Sequence, residues 1–512
     1  MDLLKTMPDN YVDALISDIP YALCEIDALK MIKDGIDNKG DFMGKKWLLP
    51  TTEMLTEFNR VLKDGGFFIT TFTARQDLQC VLQYRLLEAG FDISFSSIIW
   101  NYQTGFPKSA NFSKISQKRS GVEMEVVGSK MGMPGYSLTD GKGGLYGKGF
   151  GANGTGEGKC KITKPTTDEA KYMEGLYSCQ LKPAYEPIII AQKRYKEKSK
   201  IDHITTWYNE RKALLDSGIA EEDLSLYTKN SSGAVSIDLA RIPIENLESE
   251  AILKKAKSFE NVASIKFFQQ TYEMRADRLS CAENNINNGR VPATILVSNN
   301  ALDVGRETKS SDAIRHNNQS KTSGEENGAV YGKYNDCNGG GHKDKGDLSR
   351  YFSLDAWVKK NQPELYKLSQ KAIELQHDTE IIYPFLNTSK PSQAEGNAGL
   401  DGFEEHKSGV GALRDSDRGK LAKNTHPTKK PIALFSYLIT LFSSKENDII
   451  LDPFCGSGAT CISSVLTNRK YIGIDMSKEY CDITEARVKY WQDLKNAKVD
   501  SEPEVDKQTD LF

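Results

Sequence analysis

Residues 449–460, with the sequence IILDPFCGSGAT, constrain the fold of this chain more than any other segment. An apolar run typical of a buried strand leads into a glycine-rich turn, and a helical stretch follows from Ala459 to Leu466. Gly456 and Gly458 permit backbone conformations closed to other residues and a close approach to a ligand. The first amides of the helix point at whatever lies beside the turn. The segment therefore predicts a strand, turn and helix with a ligand site at the turn.

A second predicted strand, 471–475, ends in the carboxylate of Asp475, about twenty residues after the glycines. In nucleotide-binding α/β units an acid at this place accepts hydrogen bonds from ribose hydroxyls. Chance glycines in an ordinary turn are the alternative. The order of strand, turn, helix, strand and acid favours a ligand that contains adenosine. The residues alone leave open which adenosine ligand it is.

Five short motifs occur along the chain, at 17–21 (SDIPY), 105–109 (GFPKS), 181–188 (LKPAYEPI), 426–431 (HPTKKP) and 452–460 (DPFCGSGAT). The last resembles the cofactor motif of amino-group DNA methyltransferases, the enzymes that methylate adenine N6 or cytosine N4. The first resembles their catalytic D/S-P-P-Y tetrad, and the fourth resembles their H-P-T-x-K-P motif. The second and third resemble segments common in phage-type members. Each motif is weak alone, but their shared order resembles the circularly permuted, or β, group of this family.

The resemblance implies an α/β fold: the Rossmann-like class I S-adenosylmethionine-dependent methyltransferase fold, circularly permuted, with an inserted target-recognition region. We expect a catalytic half of the methyltransferase domain at 1–195, the inserted region at 196–385, a cofactor-binding half at 386–495 and a disordered acidic tail at 496–512. The inserted region receives its role by position only. Trp207, Arg241 and 266–268 could supply charge and stacking surface there, but such residues are ordinary.

Alternating strand and helix patterns in the first half predict a largely parallel sheet with helices on both faces. The predicted strands are 11–16, 67–72, 93–100 and 187–190, and the predicted helices are 54–62, 78–87, 431–442 and 477–491. Residues 63–66 (KDGG) are a signal for the end of the first of these helices. The glycine-rich segment 141–158 cannot bury much apolar surface, so it is predicted to be a mobile loop.

The resemblance assigns the chemistry to Asp18, Ile19, Pro20 and Tyr21. Adenine N6 is a poor nucleophile because its lone pair is delocalised into the ring. Two hydrogen-bond acceptors on the amino hydrogens would turn the lone pair towards the methyl group. The Asp18 carboxylate and the Ile19 carbonyl are the expected acceptors. Pro20 fixes φ and makes the corner rigid, and Tyr21 offers a stacking face to a base flipped out of the duplex.

Two features depart from the family pattern. Ile19 replaces the first proline of the tetrad, which keeps the carbonyl but adds an N–H, so we expect catalysis to survive with somewhat less preorganisation. Family members also usually carry a strand ending in Gly-Asp before a stretch resembling 2–10, and here the chain begins inside that stretch. The resemblance assigns the missing acid to the cofactor's adenine. We therefore expect either weaker cofactor binding or a start that lies upstream.

The implied cofactor is S-adenosyl-L-methionine. The residues expected to line the pocket for its methionine and adenosine parts are Asp452, Pro453, Phe454, Gly456, Gly458 and Thr460. Asp475 would hold the ribose, and Met476 would lie against the adenine. Thr428 and Lys430 would anchor the methionine carboxylate. An exposed, solvated Lys430 is an equal expectation on charge alone.

Composition narrows the remaining choices. The chain has 512 residues and a net charge of −3, so any DNA-binding basic residues must be concentrated on one face. Its nine cysteines form no CxxC pair and match no histidine spacing, which argues against zinc and against a disulfide framework. No Pro-Cys dipeptide occurs, so a cysteine-dependent C5-cytosine mechanism is not expected. The chain has no run of membrane-spanning length and no signal region at its start, which predicts a cytoplasmic protein of a bacterial or phage-infected cell.

The expected partner is double-stranded DNA. The pentapeptide from Gln508 to Phe512 also resembles the motif by which bacterial proteins dock on the sliding clamp. The sequence leaves the oligomeric state, the recognition sequence and a restriction partner open.

The predicted function is methyl transfer from S-adenosylmethionine to adenine N6 in DNA. Aspartate rather than serine at position 18 favours adenine, and N4-cytosine methylation is the alternative. A second alternative is a DNA-binding homologue that has lost catalysis. Glutamine and RNA-base methyltransferases share a similar tetrad but place it after the cofactor motif, opposite to the order found here.

Overall fold

The computed structural model describes residues 2–21, 28–33, 41–42, 45–46, 48–101, 109–131, 159–179, 185–243, 289–297, 308–309, 345–346, 353–367, 393–408, 420–426 and 428–499. The chain divides into two compact units. The larger unit comprises 1–103, 185–405 and 422–512, and the smaller unit comprises 104–184 and 406–421. Several predicted features lie outside the described residues, namely 105–108, 141–158, 181–184, 266–268 and the tail from 500 onwards.

Ten strands are labelled in chain order: β1 (Val12–Asp18), β2 (Leu62–Thr71), β3 (Phe91–Asp92), β4 (Ile98–Asn101), β5 (Glu125–Met131), β6 (Lys159–Lys164), β7 (Tyr185–Lys193), β8 (Ile295–Val297), β9 (Ile449–Asp452) and β10 (Lys470–Gly473). Shorter strands pair Asp41–Phe42 with Lys45–Lys46, Thr308–Lys309 with Lys345–Gly346, and His406–Ser408 with Lys420–Ala422. The described α-helices are α1 (Asp2–Thr6), α2 (Ala28–Lys33), α3 (Thr52–Val61), α4 (Gln76–Glu88), α5 (Phe112–Ser120), α6 (Asp168–Tyr172), α7 (Lys200–Asp216), α8 (Leu224–Tyr227), α9 (Leu354–Asn361), α10 (Gln393–Asn397), α11 (Ile432–Phe442), α12 (Ala459–Leu466) and α13 (Lys478–Val499).

An eight-stranded sheet in the order β8-β4-β7-β2-β1-β9-β10, with β3 on β7, forms the centre of the larger unit. The strand β1 lies between β2 and β9 and is parallel to both, with Asp18 opposite Thr71 and Leu15 opposite Leu451. Since β9 lies far along the chain yet neighbours β1, the Rossmann-like arrangement is circularly permuted, as the resemblance implies. The predicted strand at 187–190 forms, but it runs antiparallel to its neighbours, so the sheet is mixed.

The sheet is covered on both faces, as predicted. Ala14 and Ile16 of β1 belong to a core cluster that includes residues of α9, α11, α12 and α13. Leu15, which points to the opposite face, belongs to a second cluster that includes residues of α3 and α4. Every residue of the helix α11 except Ala433 is buried, which agrees with its almost wholly apolar sequence.

Several predicted boundaries were wrong. The helix α3 ends at Val61, one residue before the predicted end, and residues 63–66, the predicted end signal, belong to β2, where the Lys63 ammonium is buried and bonded to Asp13 and Ser225. The predicted strand 93–100 is broken: β3 ends at Asp92, whose side chain accepts from the Ser94 amide, and β4 begins at Ile98. The last helix continues to Val499, so the first residues of the predicted tail are helical.

Described parts of the segment 196–385 belong to the larger unit. The strand β8 pairs in parallel with β4, and Leu296 joins the first core cluster. Trp357 of α9 is buried there too, and its indole donates to the Leu239 carbonyl at 3.2 Å. Trp207 lies under the Arg211 guanidinium, 5.5 Å from the ring centroid, and Arg241 pairs with Asp238 at 2.8 Å. Target recognition by this segment stays a prediction.

The smaller unit is built from the antiparallel pair β5 and β6 and the helices α5 and α6. The buried amide of Gln117 connects them: it donates to Thr166 Oγ1 at 2.7 Å and to the Val122 carbonyl at 2.8 Å, and it accepts from the Thr166 amide at 2.9 Å. Polar contacts of one side chain thus hold α5 against the chain that leads into α6.

Within the described ranges, no helix has both the length and the apolar character needed to cross a bilayer. The same ranges contain no group of three or more His, Cys, Asp or Glu side chains that could hold a metal ion.

Candidate active site

The carboxyl ends of β1 and β9 form one corner of the sheet. They are neighbouring parallel strands, so their last residues meet at the same edge, where α/β sheets bind ligands. Ser17 at the end of β1 donates to Asp452 Oδ1 at the end of β9, at 2.6 Å. This bond directly joins the segment of the predicted catalytic tetrad to the predicted cofactor turn.

Three side chains hold the Asp18 carboxylate. Its Oδ1 accepts from Thr71 Oγ1 at 2.5 Å and from the Tyr21 hydroxyl at 2.8 Å, and its Oδ2 accepts from Lys430 Nζ at 2.7 Å. A carboxylate has about four acceptor sites, so one site remains in principle for a substrate N–H. The carboxylate is thus fixed in orientation while it keeps acceptor capacity.

The Lys430 ammonium lies between two carboxylates. Besides its contact with Asp18, Nζ is 3.6 Å from Glu186 Oε2 and donates to the Tyr21 hydroxyl at 3.3 Å. Burial acts to lower the pKa of Lys430, but the negative charges of Asp18 and Glu186 outweigh it and raise that pKa. Lys430 is therefore a permanent cation within this cluster.

Tyr21 is packed more tightly than a free stacking platform would be. Its ring makes an edge contact with Phe72 at 5.4 Å, and Lys430 Nζ lies 5.3 Å from its centroid. Burial raises the pKa of Tyr21, and the nearby charges of Asp18 and Glu186 raise it further. The hydroxyl stays protonated at neutral pH and acts as a donor to Asp18.

The backbone at Ile19 accommodates the replacement of the family's first proline by isoleucine. Its amide, which a proline would lack, donates to Thr70 Oγ1 at 3.4 Å, and its side chain is buried. Pro20 follows at a half-buried position. The additional N–H therefore has a protein partner and does not compete for a substrate.

The glycine turn between β9 and α12 has the geometry that its sequence predicts. Gly456 and Gly458 have φ of +51° and +81°, values that favour glycine. A Cβ at Gly456 would lie 2.6 Å from His426 Nε2, and one at Gly458 would lie 2.7 Å from Thr484 Cγ2. His426 of the HPTKKP motif thus packs directly on the turn, where no larger residue would fit.

Asp475 closes the turn from the neighbouring strand end. Its Oδ2 accepts from the Gly456 amide at 3.0 Å, and its Oδ1 accepts from the Ser477 amide at 2.8 Å. The Met476 side chain next to it is fully exposed. The roles predicted for Asp475 at the ribose and for Met476 at the adenine stay predictions.

Asp452 is buried at the base of the turn. Its Oδ1 also accepts from the Phe454 amide at 3.0 Å. Burial raises its pKa to about 6, although the hydrogen bonds from Ser17, Thr460 and Phe454 act in the opposite direction. The carboxylate thus organises the corner from within rather than facing solvent.

The remaining predicted cofactor residues divide into two groups. Pro453 and Thr460 are buried in the turn, and Phe454 is half-buried with its ring 6.3 Å from that of Phe58. Thr428 is exposed. The role predicted for Thr428 and Lys430, to hold the methionine carboxylate, stays a prediction, and the contact with Asp18 gives Lys430 a second one.

Cys455 and Cys461 are buried on the inner side of the turn. A Cβ at Gly473 would lie 2.6 Å from Cys461 Sγ, so that glycine makes room for the thiol. The contact with Cys461 and burial raise the pKa of Cys455. Neither cysteine is placed to act as a nucleophile.

Two members of the cluster were not identified from the sequence. Thr71 could have been found only from the register that places it opposite Asp18. Glu186 lies within a motif that was identified, 181–188, but nothing in that motif indicates that its carboxylate reaches Lys430.

Comparisons with known proteins assign this chain to a family. The family model of DNA methylases, the N6/N4 methyltransferases, matches residues 12–486. The Type II methyltransferase M2.LlaDCHI of Lactococcus lactis subsp. cremoris is 39% identical over 118 residues, which cover 22% of this chain and 42% of that protein. The orphan methyltransferase M.BamHII of Bacillus amyloliquefaciens is 59% identical over 46 residues, which cover 9% of this chain and 17% of that protein. The matches thus span less than half the length of these relatives.

Among solved structures, the cytosine-N4-specific PvuII DNA methyltransferase matches with a TM-score of 0.32 and 11% identity, over 98% of this chain and 90% of that one. This score is too low to establish a shared fold by itself.

The match across most of its length shows that this chain belongs to the DNA methylase family. The family's cofactor is S-adenosyl-L-methionine. Asp475 fits the ribose of that molecule, because each of its oxygens accepts one backbone amide beside the glycine turn and keeps acceptor capacity.

Proposed function

We propose that this protein methylates DNA at the exocyclic amino group of adenine, with S-adenosyl-L-methionine as the methyl donor. The observation that carries the proposal is the corner at which β1 and β9 end, where the Ser17–Asp452 hydrogen bond of 2.6 Å joins the tetrad to the cofactor turn. Such a corner can bring an amino group and a methyl donor together. A cytoplasmic location is part of this proposal.

In this proposal, the cofactor turn binds S-adenosyl-L-methionine, and Asp18 orients the target amino group. The Gly456 and Gly458 backbone and Asp475 hold the adenosine part, and Asp452 keeps the turn in place from below. The bound cofactor supplies an electrophilic methyl group on a sulfonium. The protein's own residues then align the nitrogen that accepts it.

The target amino group would donate one hydrogen to Asp18 and the other to the Ile19 carbonyl. Accepting both hydrogens draws the lone pair out of the ring plane and holds it towards the methyl group. Lys430, Thr71 and Tyr21 keep the Asp18 carboxylate in one orientation. No covalent enzyme intermediate is involved, which agrees with the burial of the Cys455 and Cys461 thiols.

Adenine is proposed over cytosine because aspartate occupies position 18. N4-cytosine methylation uses the same geometry and is the alternative. The test is tritium transfer from labelled S-adenosylmethionine to unmethylated genomic DNA, followed by mass spectrometry of the nucleosides. N6-methyladenine supports the proposal, and N4-methylcytosine would correct the base.

Calorimetry with S-adenosylmethionine separates the proposal from a homologue that has lost catalysis. A working enzyme binds the cofactor and transfers tritium. DNA binding without cofactor affinity or transfer would favour the degenerate homologue and contradict the proposal.

Docking of 508–512 on the sliding clamp is a separate proposal that rests on the motif resemblance. Deleting these five residues should abolish pull-down by the clamp. A full chain that does not bind the clamp would end the idea.

A further inference from the structure

Basic charge is concentrated in the smaller unit. Its residues, 104–184 and 406–421, include 16 Lys and Arg and 9 Asp and Glu, a net charge of +7. The whole chain carries −3, so the rest carries −10. A polyanion is attracted to positive surface and repelled by negative surface. An anionic partner of this protein should therefore contact the smaller unit.

The helix α5 has an unusual distribution of side chains. Its buried positions are polar, Ser113, Ser116 and Gln117, whereas Phe112 and Ile115 are exposed. A helix that packs by hydrophobic contact would show the opposite pattern. Because Gln117 holds the helix through hydrogen bonds, the apolar side chains are left at the surface.

Basic side chains accompany these apolar ones. Lys114 and Arg119 are exposed on α5, and Phe112, Ile115 and Arg119 follow the i, i+3, i+7 spacing of a single helical stripe. The combined surface is both cationic and apolar.

An exposed aromatic residue extends this surface at the start of α5. The Phe112 amide donates to the Leu176 carbonyl at 3.1 Å, and the Ser178 amide donates to the Ala110 carbonyl at 2.9 Å. Tyr177 lies between these two bonds and is 55% exposed. Lysine and arginine contact phosphates, and aromatic side chains contact sugars and bases, so this mixture is typical of nucleic-acid surfaces.

Within the larger unit, the strand ends that precede and follow 104–184 in sequence lie at the sheet edge that carries the active site. The chain leaves the larger unit after β4 and re-enters at β7. Since β4 is antiparallel to β7, and β7 to β2, the end of β4 and the start of β7 lie at the edge where β1 ends in Asp18. Glu186, the second residue of β7, contacts Lys430.

We infer that the smaller unit binds duplex DNA through a surface made of Phe112, Lys114, Ile115, Arg119 and Tyr177. This inference rests on the proposed function for the identity of the partner. The inferred DNA contact lies outside 196–385, the segment for which target recognition is predicted from position alone.

The test is the double variant Lys114→Gln/Arg119→Gln in the full chain. Fluorescence anisotropy with an unmethylated duplex should show about tenfold weaker binding near 0.1 M salt. The slope of log K against log salt should become shallower by about 2, because each lost phosphate contact removes about one counterion. In methyl transfer, KM for DNA should rise about tenfold while kcat and the affinity for S-adenosylmethionine stay within twofold.

The matched control is Lys5→Gln/Lys489→Gln, which removes two exposed lysines of the larger unit. It should leave affinity and slope unchanged. Tyr177→Ala should weaken binding several-fold with no change of slope, because it removes contact area but no charge. Thermal unfolding of each variant checks that the fold is retained.

The inference is overturned if the Lys114/Arg119 variant binds duplex DNA with the parent's affinity and salt slope, even when the parent transfers methyl groups normally. Tighter binding of the parent to a polyglutamate peptide than to duplex DNA would also overturn it, in favour of an acidic protein partner. Absence of methyl transfer by the parent would instead count against the proposed function, since anisotropy measures the surface without catalysis.

Discussion

Two clusters of acids around a lysine occupy opposite ends of β1. At its amino end Lys63 pairs with Asp13 at 2.7 Å, with side chains 0% and 4% exposed. At its carboxyl end Lys430 pairs with Asp18 at the same 2.7 Å, with side chains 9% and 18% exposed. The pairs have the same chemistry and the same separation. They differ in what surrounds them.

Every donor of Lys63 is used within the protein. Besides Asp13, its ammonium donates to the Ser225 carbonyl at 2.7 Å and to Thr228 Oγ1 at 3.0 Å. Asp13 Oδ2 accepts from the Ile449 amide at 2.8 Å. This cluster fastens α8 and β9 to β1 and leaves nothing for a ligand.

In the carboxyl-end cluster the Asp18 carboxylate is fixed by hydrogen bonds but can still accept one from a ligand. Lys430, Thr71 and Tyr21 orient Asp18, yet its carboxylate remains partly accessible beside the glycine turn. Ligand sites of α/β sheets lie at the carboxyl ends of their strands. A buried ion pair by itself therefore does not indicate function. Its position at the carboxyl end of a strand and its unused hydrogen-bond acceptors do.

The largest expected effect comes from Asp18→Asn. The amide can accept only through one atom, and its NH2 group would face Lys430 or the substrate amino group. Methyl transfer at saturating substrates should fall by about 10²–10³-fold or more, the size of effect seen when one preorganised polar group is removed. Calorimetry should show unchanged affinity for S-adenosylmethionine. Retained activity would remove Asp18 from the proposed mechanism.

Lys63→Met should affect stability and leave catalysis intact. It leaves Asp13 buried without its cation, which costs about 3–5 kcal/mol. Urea unfolding should show this loss, while kcat per folded molecule stays within twofold.

The control is Lys63→Met/Asp13→Asn, in which the uncompensated charge is also removed. It should recover part of the stability lost in the single variant. A catalytic defect in Lys63→Met at full stability would contradict the contrast between the two clusters.

The two clusters also differ in how far they could be predicted. Asp18, Asp452 and Asp475 belong to local motifs at the ends of apolar strands, so a pattern of neighbouring residues identifies them. Lys63 was interpreted as part of a helix end, because its partners Ser225 and Thr228 are more than 160 residues away. The position of Lys430 on Asp18 likewise depends on how α11 packs, and the antiparallel direction of β7 leaves no mark in its own sequence.

Lys430→Met should reduce kcat by about 10–100-fold, because Asp18 loses the donor on Oδ2. With the ammonium gone, Asp18 and Glu186 repel each other. This repulsion disturbs the orientation of the Asp18 carboxylate further. Lys430→Arg, which keeps the charge, should restore kcat in part.

The affinity for S-adenosylmethionine separates the two roles of Lys430. If Lys430 acts by positioning Asp18, the Kd of Lys430→Met for the cofactor should stay within twofold of the wild-type value. A large rise in that Kd would assign the lysine to the methionine carboxylate instead.

The smallest expected effect concerns Asp448, the second acid of the amino-end cluster, which accepts from Ser225 Oγ at 3.2 Å. Burial and the charge of Asp13 together raise the pKa of Asp448 from 3.8 to about 6, against the opposing charge of Lys63. Because the folded-state pKa is the higher one, this group contributes stability that is complete below pH 3.8 and is lost as the pH rises through 6. Between about pH 7 and 5 the wild type should gain about 1 kcal/mol from it. Asp448→Asn should lose that part of the pH dependence in urea unfolding, whereas Asp452, whose pKa is also about 6, keeps its own contribution. If the difference in unfolding free energy between the wild type and Asp448→Asn does not change from pH 7 to 5, burial does not raise the pKa of Asp448. The amino end of β1 would then be open to solvent, which contradicts the contrast between the two clusters.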